Sequence, residues 1–180
     1  MLERVCARDP EAMEAFFEHY FDWLYGLVHW LVADRTQAED VTQDVLLKLQ
    51  QNLHRLDPSR DPAPWIYVIA YNTCRDVWRS SAWRAARRAI PVGMGEGALD
   101  LVAPVAEAGA DLDRARRDAR VHAAVRELPE PLRTVVVLHQ FEGLDHRAIA
   151  GVVGANHAAV RKRYSRALVA LADLLKGMPS

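Results

Sequence analysis

Cysteine is nearly absent. Cys6 and Cys74 are the only two, with no CxxC pair. A zinc finger and a disulfide framework are therefore excluded, and reduced thiols in a cytoplasmic location are expected. Long hydrophobic runs are missing as well. No eighteen consecutive apolar residues occur, so no membrane span is expected. The opening stretch, MLERVCARDPEAMEAF, is charged and lacks the apolar region of a secretory leader. No strong charge of one sign exists: 23 bases and 24 acids leave a net of −1. A protein that coats DNA by uniform phosphate attraction is more basic than this. No strand-like alternation, internal repeat, glycine-rich phosphate loop or Ser/His/Asp arrangement is present. The seven histidines are scattered, and His139 and His146 do not stand at i, i+4. No metal site, cofactor or catalytic residue is expected.

What is present is apolar and helical. A hydrophobic fraction of 51% is ample for globular cores. The charge is unevenly placed. Residues 1–57 hold eleven acids against five bases, while Arg75, Arg79, Arg84, Arg87 and Arg88 follow with Asp76 as the one acid in 75–90. An acidic half beside separated basic patches points to a surface meant for a protein as well as one meant for nucleic acid.

Residues 11–32 predict a long helix, with Phe16, Phe17, Tyr20, Leu24, Leu27, Val28 and Leu31 as its core face and Pro10 ahead of it. Ala33–Thr36 is a break. Residues 37–53 resume as a helix with the stripe Val41, Val45, Leu49 and Leu53. Its other faces carry Asp40 and Asp44, neighbours one turn apart. That side reads equally as a solvated acidic face or a protein-docking face. Residues 54–64, with three prolines, read as a loop. Residues 65–86 predict a third helix, with Trp65, Ile66, Ile69, Ala70, Thr73 and Val77 inward. Tyr67, Tyr71, Asn72, Arg75, Trp78 and Arg79 decorate the remainder. Aromatics interleaved with arginines suit stacking on unpaired bases, although amphipathic helices often carry such rims. Residues 87–111 are rich in Gly, Ala and Pro without periodicity and read as a linker. Helix resumes from Leu112 to Glu127. Leu128-Pro129-Glu130-Pro131 is a break before the closing unit. The β-favouring Val135-Val136-Val137 lies within a helical pattern.

The stretch 132–175 carries the sharpest signal. His146 to Val153 reads as a short helix with Ile149, Val152 and Val153 inward. Gly154 supplies the φ > 0 helix end and Asn156 the next N-cap. Val160, Tyr164, Leu168, Leu171 and Leu175 predict a buried stripe on the helix that follows. Arg161, Lys162, Arg163 and Arg166 project from its other faces. Short helix, glycine turn and cationic helix make a helix-turn-helix, whose second helix enters the major groove.

Two separate stretches resemble the bacterial sigma factors, in particular the small extracytoplasmic-function (ECF) type. AEDVTQDVLLKL (38–49) with PWIYVIAYNTCRD (64–76) is similar to sigma region 2. LPEPLRTVVVLHQFEGLDHRAIAGVVGANHAAVRKRYSRAL (128–168) is similar to region 4. The resemblance implies an all-α fold of two small helical domains joined by a flexible linker. Residues 1–86 would be a three-to-four-helix region 2, 87–111 the linker, and 112–180 region 4. It implies a transcription initiation factor, not an enzyme, that binds core RNA polymerase, recognises promoter −10 and −35 elements and assists melting. By position, Asp40, Gln43, Asp44 and Leu47 match the part that binds the clamp helices of the largest polymerase subunit. Arg60, Tyr67, Tyr71, Asn72, Arg75 and Arg79 match the part that captures the −10 element. There bases leave the stack at a cost of a few kcal/mol that stacking and hydrogen bonds offset. Asn156, His157, Arg161, Lys162, Arg163, Ser165 and Arg166 match the −35 reader. The linker would pass near the RNA exit path. An anti-sigma protein is the further partner implied; a small-molecule substrate is not.

Gln50 departs from the aromatic frequent at its position, and Ala158-Ala159 from a frequent Gly-Thr. His157 and Tyr164 are also unusual there. Two other readings stand beside this one. The first is an ordinary helix-turn-helix regulator with residues 1–86 as a sensor or dimerisation domain. The second is a small helical enzyme using Asp40, Asp44 and a histidine.

Overall fold

A computed structural model describes residues 1–80 and 110–177, with side chains in the second stretch from Arg117 onward. The end of the third predicted helix, Arg84, Arg87, Arg88 and nearly all of the 87–111 linker lie outside the described residues. Every regular element among the described residues is helical: α1 (Leu2–Cys6), α2 (Pro10–Val32), α3 (Arg35–Gln51), α4 (Ala63–Arg79), α5 (Ala110–Glu127), α6 (Glu130–Val136), α7 (His146–Val153) and α8 (His157–Gly177). A 3₁₀ turn spans Leu53–Arg55, and a π-helical turn, Val137–Phe141, continues α6.

The helix starts follow from capping chemistry. Asp9 accepts the Ala12 amide at 2.9 Å ahead of Pro10, and Asp34 accepts the Gln37 amide at 2.9 Å. Each such cap satisfies an otherwise orphaned donor and contributes about 1 kcal/mol. The predicted break at 33–36 shrinks to two residues, because Ala33 turns the chain at φ 61° and Asp34 already caps α3. Proline tolerance in a first helical turn likewise moves two other boundaries. α4 begins at Ala63 with Pro64 inside it, and α6 begins at Glu130 with Pro131 inside it. α5 starts at Ala110, two residues before the expected point. α1 was not expected; it buries Val5 completely.

α1–α4 form one helical half. Leu24, Leu27, Val28 and Leu31 of α2 meet Val41, Val45 and Leu49 of α3, with Ile66, Ala70 and Cys74 of α4 closing the core. Phe17 and Tyr20 are half-buried at its edge. Burial pushes the Cys74 thiol up to about 12, which leaves it unreactive. α5–α8 form the other half around Val135, Val136, Val137, Leu138, Ile149 and Val160. The valine run is helical, as its context predicts.

The two halves share one continuous apolar core. Arg133 of α6 is fully buried and crosses between them. Its Nε donates to the Leu31 carbonyl at 2.9 Å and its Nη1 to the Arg126 carbonyl at 2.9 Å. Arg126 in turn donates to the Ala33 carbonyl at 3.0 Å. Two cations thus meet the C-terminal end of α2, where unpaired carbonyls and the helix dipole favour positive charge. Nearby, the Trp30 ring lies 4.0 Å from His122 and 4.2 Å from Phe141, centroid to centroid.

Candidate nucleic-acid and partner interfaces

The acidic face of α3 is set by its apolar one. Ala38, Val41, Thr42, Val45 and Leu49 turn inward, so Asp40, Gln43, Asp44 and Leu47 form one outward stripe at i, i+3, i+4 and i+7. All four are exposed; Leu47 is 54% exposed. A large apolar side chain left exposed one turn beyond a pair of carboxylates has the composition of a docking face. Gln50 is exposed below the same stripe.

The residues expected at the −10 element divide. Arg60 is exposed in the loop, paired with Asp57 at 3.1 Å. On α4, Tyr71, Asn72 and Arg75 are half-buried and Arg79 is exposed. The Arg75 guanidinium sits 5.8 Å from the Tyr71 ring centre, and Trp78 meets the same ring edge-on at 6.2 Å. This gives an aromatic and cationic patch of the kind on which bases stack. Tyr67 corrects the expectation of an exposed side chain. It is 7% exposed, its ring packs edge-on against Trp23 at 5.1 Å, and its hydroxyl donates to Glu142 Oε2 at 2.8 Å. Burial above all, then the Glu142 carboxylate, raises its phenol pKa. Trp23 Nε1 donates to the same oxygen at 2.7 Å. Hydrogen bonds to a charged acceptor contribute about 1.5–3 kcal/mol each, so this pair outweighs ordinary surface contacts. Glu142 belongs to the C-terminal half. The preceding π turn, closed by the Glu142 amide on the Val137 carbonyl at 3.2 Å, is the local feature that precedes it.

The helix-turn-helix forms where the sequence puts it. Asp145 caps α7, accepting from the Arg147 and Ala148 amides at 2.9 and 2.7 Å. Those backbone bonds, Ala148 first, hold its carboxyl below the ordinary range. Gly154 is left-handed at φ 63°, and the Ala155 amide reaches back to the Ala150 carbonyl at 3.0 Å. That bond closes a Schellman-type helix end. Asn156 Oδ1 accepts the Ala159 amide at 2.7 Å, so Asn156 positions α8 in addition to facing outward. Between the helices, His139, His146 and Tyr164 pack ring against ring, with centroids 4.7–5.1 Å apart. Burial is the first cause lowering the His146 pKa, followed by His139, His157 and Arg161. Among the described residues no group of three or more His, Cys, Asp or Glu could hold a metal ion.

On α8, Val160 and Ala167 are buried, with Tyr164, Leu171 and Leu174 half-buried beside them. Leu168 corrects the predicted stripe: it is 44% exposed, because Ala167 occupies the inward position. His157, Arg161, Lys162, Ser165 and Arg166 are exposed, and Arg163 is half-buried. Arg161, Lys162, Ser165 and Arg166 share the outward side. This cationic side of a second helix is the part that can enter a major groove.

The family profile for sigma-70 region 2 matches residues 16–84, and that for sigma-70 region 4 matches residues 118–171. The chain belongs to the sigma-70 family, ECF type. The RNA polymerase sigma-H factor of Pseudomonas aeruginosa is 29% identical, over 98% of this chain and 92% of that one. The ECF RNA polymerase sigma factor SigK of Mycolicibacterium vanbaalenii is also 29% identical, over 97% and 87%. Two solved structures share the fold. One is CnrH in complex with the cytosolic domain of CnrY, with TM-score 0.66 and 22% identity over 99% of this chain and 96% of that one. The other is the sigma factor RpoE of Bartonella quintana in complex with the anti-sigma factor NepR, with TM-score 0.66 and 19% identity over 94% and 99%. The sigma factor is thus a transcription initiation factor that directs RNA polymerase to promoters. It works by binding and not by catalysis. No helix among the described residues is long and apolar enough to cross a membrane.

Proposed function

We propose that the factor divides its work among three surfaces on three different helices. Asp40, Gln43, Asp44 and Leu47 of α3 dock on the clamp helices of core polymerase. Arg60, Tyr67, Tyr71, Asn72, Arg75 and Arg79 hold the unstacked −10 strand. Asn156, His157, Arg161, Lys162, Arg163, Ser165 and Arg166 position α8 on the −35 element. The functional division is 1–86, 87–111 and 112–180. The factor acts in the cytoplasm, where promoter DNA is, and an anti-sigma protein holds it in reserve, a reading supported by the anti-sigma factor NepR bound to the structural neighbour RpoE.

The observation that carries this reading is the exposure of a stripe with two carboxylates and a 54% exposed Leu47 on α3, apart from the cationic side of α8. A lone DNA-binding protein has no use for the first, and a lone protein-docking module has none for the second. Run-off transcription with purified core polymerase across genomic fragments tests it. Discrete new transcripts sharing two upstream elements are expected. Transcripts identical to those of core alone would contradict it.

A further inference from the structure

Three histidines converge where α7 meets α8, and one of them is placed against holding a proton. His139 of the π-helical turn, His146 at the start of α7 and Tyr164 of α8 form the ring cluster described above. His157, the first residue of α8, stands 6.1 Å from His146, centroid to centroid. The polar groups around His146 have partners. The Leu144 carbonyl can only accept, so His139 Nδ1 donates to it at 2.7 Å. The Tyr164 hydroxyl accepts from Gln140. His146 Nε2 is different: it is buried and has no hydrogen-bond partner among the described residues. A bare nitrogen on a neutral ring costs less than an unmet donor on a charged one. An imidazolium carries a donor on both nitrogens, so a proton at Nε2 would have no acceptor.

The surrounding charges act in the same sense. Burial is the first cause that keeps the His146 ring neutral; His139 from the π turn and His157 and Arg161 from α8 add to it. Asp145 opposes them, but its carboxylate is already engaged by the Arg147 and Ala148 amides. Among the described residues, no charged group of α4, which also packs on α7, acts on the ring. A DNA phosphate beside α8 attracts a cation, yet Nε2 is closed to solvent, so the phosphate cannot supply the missing acceptor. We propose that His146 is a positioning residue for the −35 reader: its neutral ring seats α8 against α7, and proton uptake unseats it. Arg161 lies on both sides of this coupling, since it faces the ring and shares the outward side of α8. Upstream recognition therefore fades as the pH falls below 6.5 toward the depressed value of the ring. The α3 face and the α4 patch have no residue in the cluster.

This inference rests on the −35 role of α8, and the test separates the two. In the free full-length chain, the His146 ring signal followed by NMR from about pH 7.5 to 5.5 should titrate below 6.5. The backbone amides of α8 should shift with the same midpoint. Amides that stay still through the ring's titration overturn the proposal. On a promoter recovered by run-off transcription, holoenzyme protection of the upstream element relative to the downstream one should fall about threefold or more over that range. Acid sensitivity common to both elements cancels in this ratio. His146→Phe keeps a ring against His139 and Tyr164 and takes no proton, so its ratio should stay constant. His146→Gln, smaller and equally unable to titrate, should also stay constant, whatever its starting value. A fall in both variants equal to that of the unsubstituted factor overturns the proposal. Arg166→Ala at about pH 7.5 tests the −35 reading by itself. If it leaves upstream protection unchanged while the α8 amides of the unsubstituted factor follow the ring, the −35 reading falls and the proton-linked seating stands.

Discussion

The Nε of Arg133 donates to the carbonyl of Leu31 at 2.9 Å, across 102 residues of sequence and from one helical half into the other. A fully buried guanidinium is costly unless its donors are met. Here backbone carbonyls at the C-terminal ends of α2 and α5 accept from Nε and Nη1, where the helix dipoles add to each bond. Arg133→Met keeps the stem and deletes the donors, which strips Leu31 and Arg126 carbonyls of their partner. A loss of about 2–3 kcal/mol in urea unfolding is expected. A loss under about 0.5 kcal/mol would mean the guanidinium is not anchoring the halves.

Acid should loosen the same seam. Burial is the main cause holding His29 below its ordinary 6.5, followed by the nearby charges of Arg126, His122 and Arg35, with Asp34 opposing. Burial does the same at His122, where Asp118 opposes and Arg126 adds to the depression. A depressed histidine favours the neutral ring in the folded form. Its stabilisation is complete above 6.5 and is lost as the pH falls below that value toward the depressed one. Thermal melts in a series from about pH 7.5 to 5.5 should show falling stability, reduced in the His29→Gln, His122→Gln double variant. An identical slope in the double variant would assign the acid sensitivity elsewhere.

Asp44→Arg reverses one charge in the exposed stripe of α3. Core polymerase binding should weaken by about 2 kcal/mol or more if the residue faces a basic partner surface. The fold should be unaffected, since Asp44 is exposed and a substitution at such a surface position changes stability within about 0.5 kcal/mol. Surface plasmon resonance against immobilised core, with a melting curve as control, reads both. Undiminished affinity would remove α3 from the docking face.

Arg166→Ala should weaken recognition of the upstream element by about 1–3 kcal/mol and relax preference at one base position if the guanidinium contacts a base edge. If it contacts phosphate, weakening is uniform across sequences and the salt dependence drops by about one ion. A holoenzyme footprint unchanged over the upstream element takes Arg166 out of the site.

Local chemistry made much of this legible in advance. Gly154 and Asn156 announce a turn by conformational preference and capping alone, and both behave accordingly. The outward placement of Asp40, Gln43, Asp44 and Leu47 follows from the apolar stripe opposite them. The features that escaped are long-range. Helical periodicity ranks Tyr67 as a rim residue, because it says nothing of what another half of the chain lays over that rim. Glu142 lies 75 residues from Tyr67 and 119 from Trp23, and no spacing rule connects them. Nothing in the local sequence marks Arg133 as buried, since charged side chains are almost never fully buried. α1 was too short to show a period. Three- and four-residue spacing from Val160 and Tyr164 puts Leu168 inward, while the smaller Ala167 is the residue buried there.

The central claim is that one chain carries both a polymerase-docking face and a promoter reader, each insufficient alone. Its most direct measurement is binding of the purified full-length factor to core polymerase, compared with binding of the free factor to upstream-element duplex at the same salt. Stable co-elution with core, together with weak duplex binding until core is added, is the predicted result. Failure to bind core, with tight duplex binding by the factor alone, would contradict it.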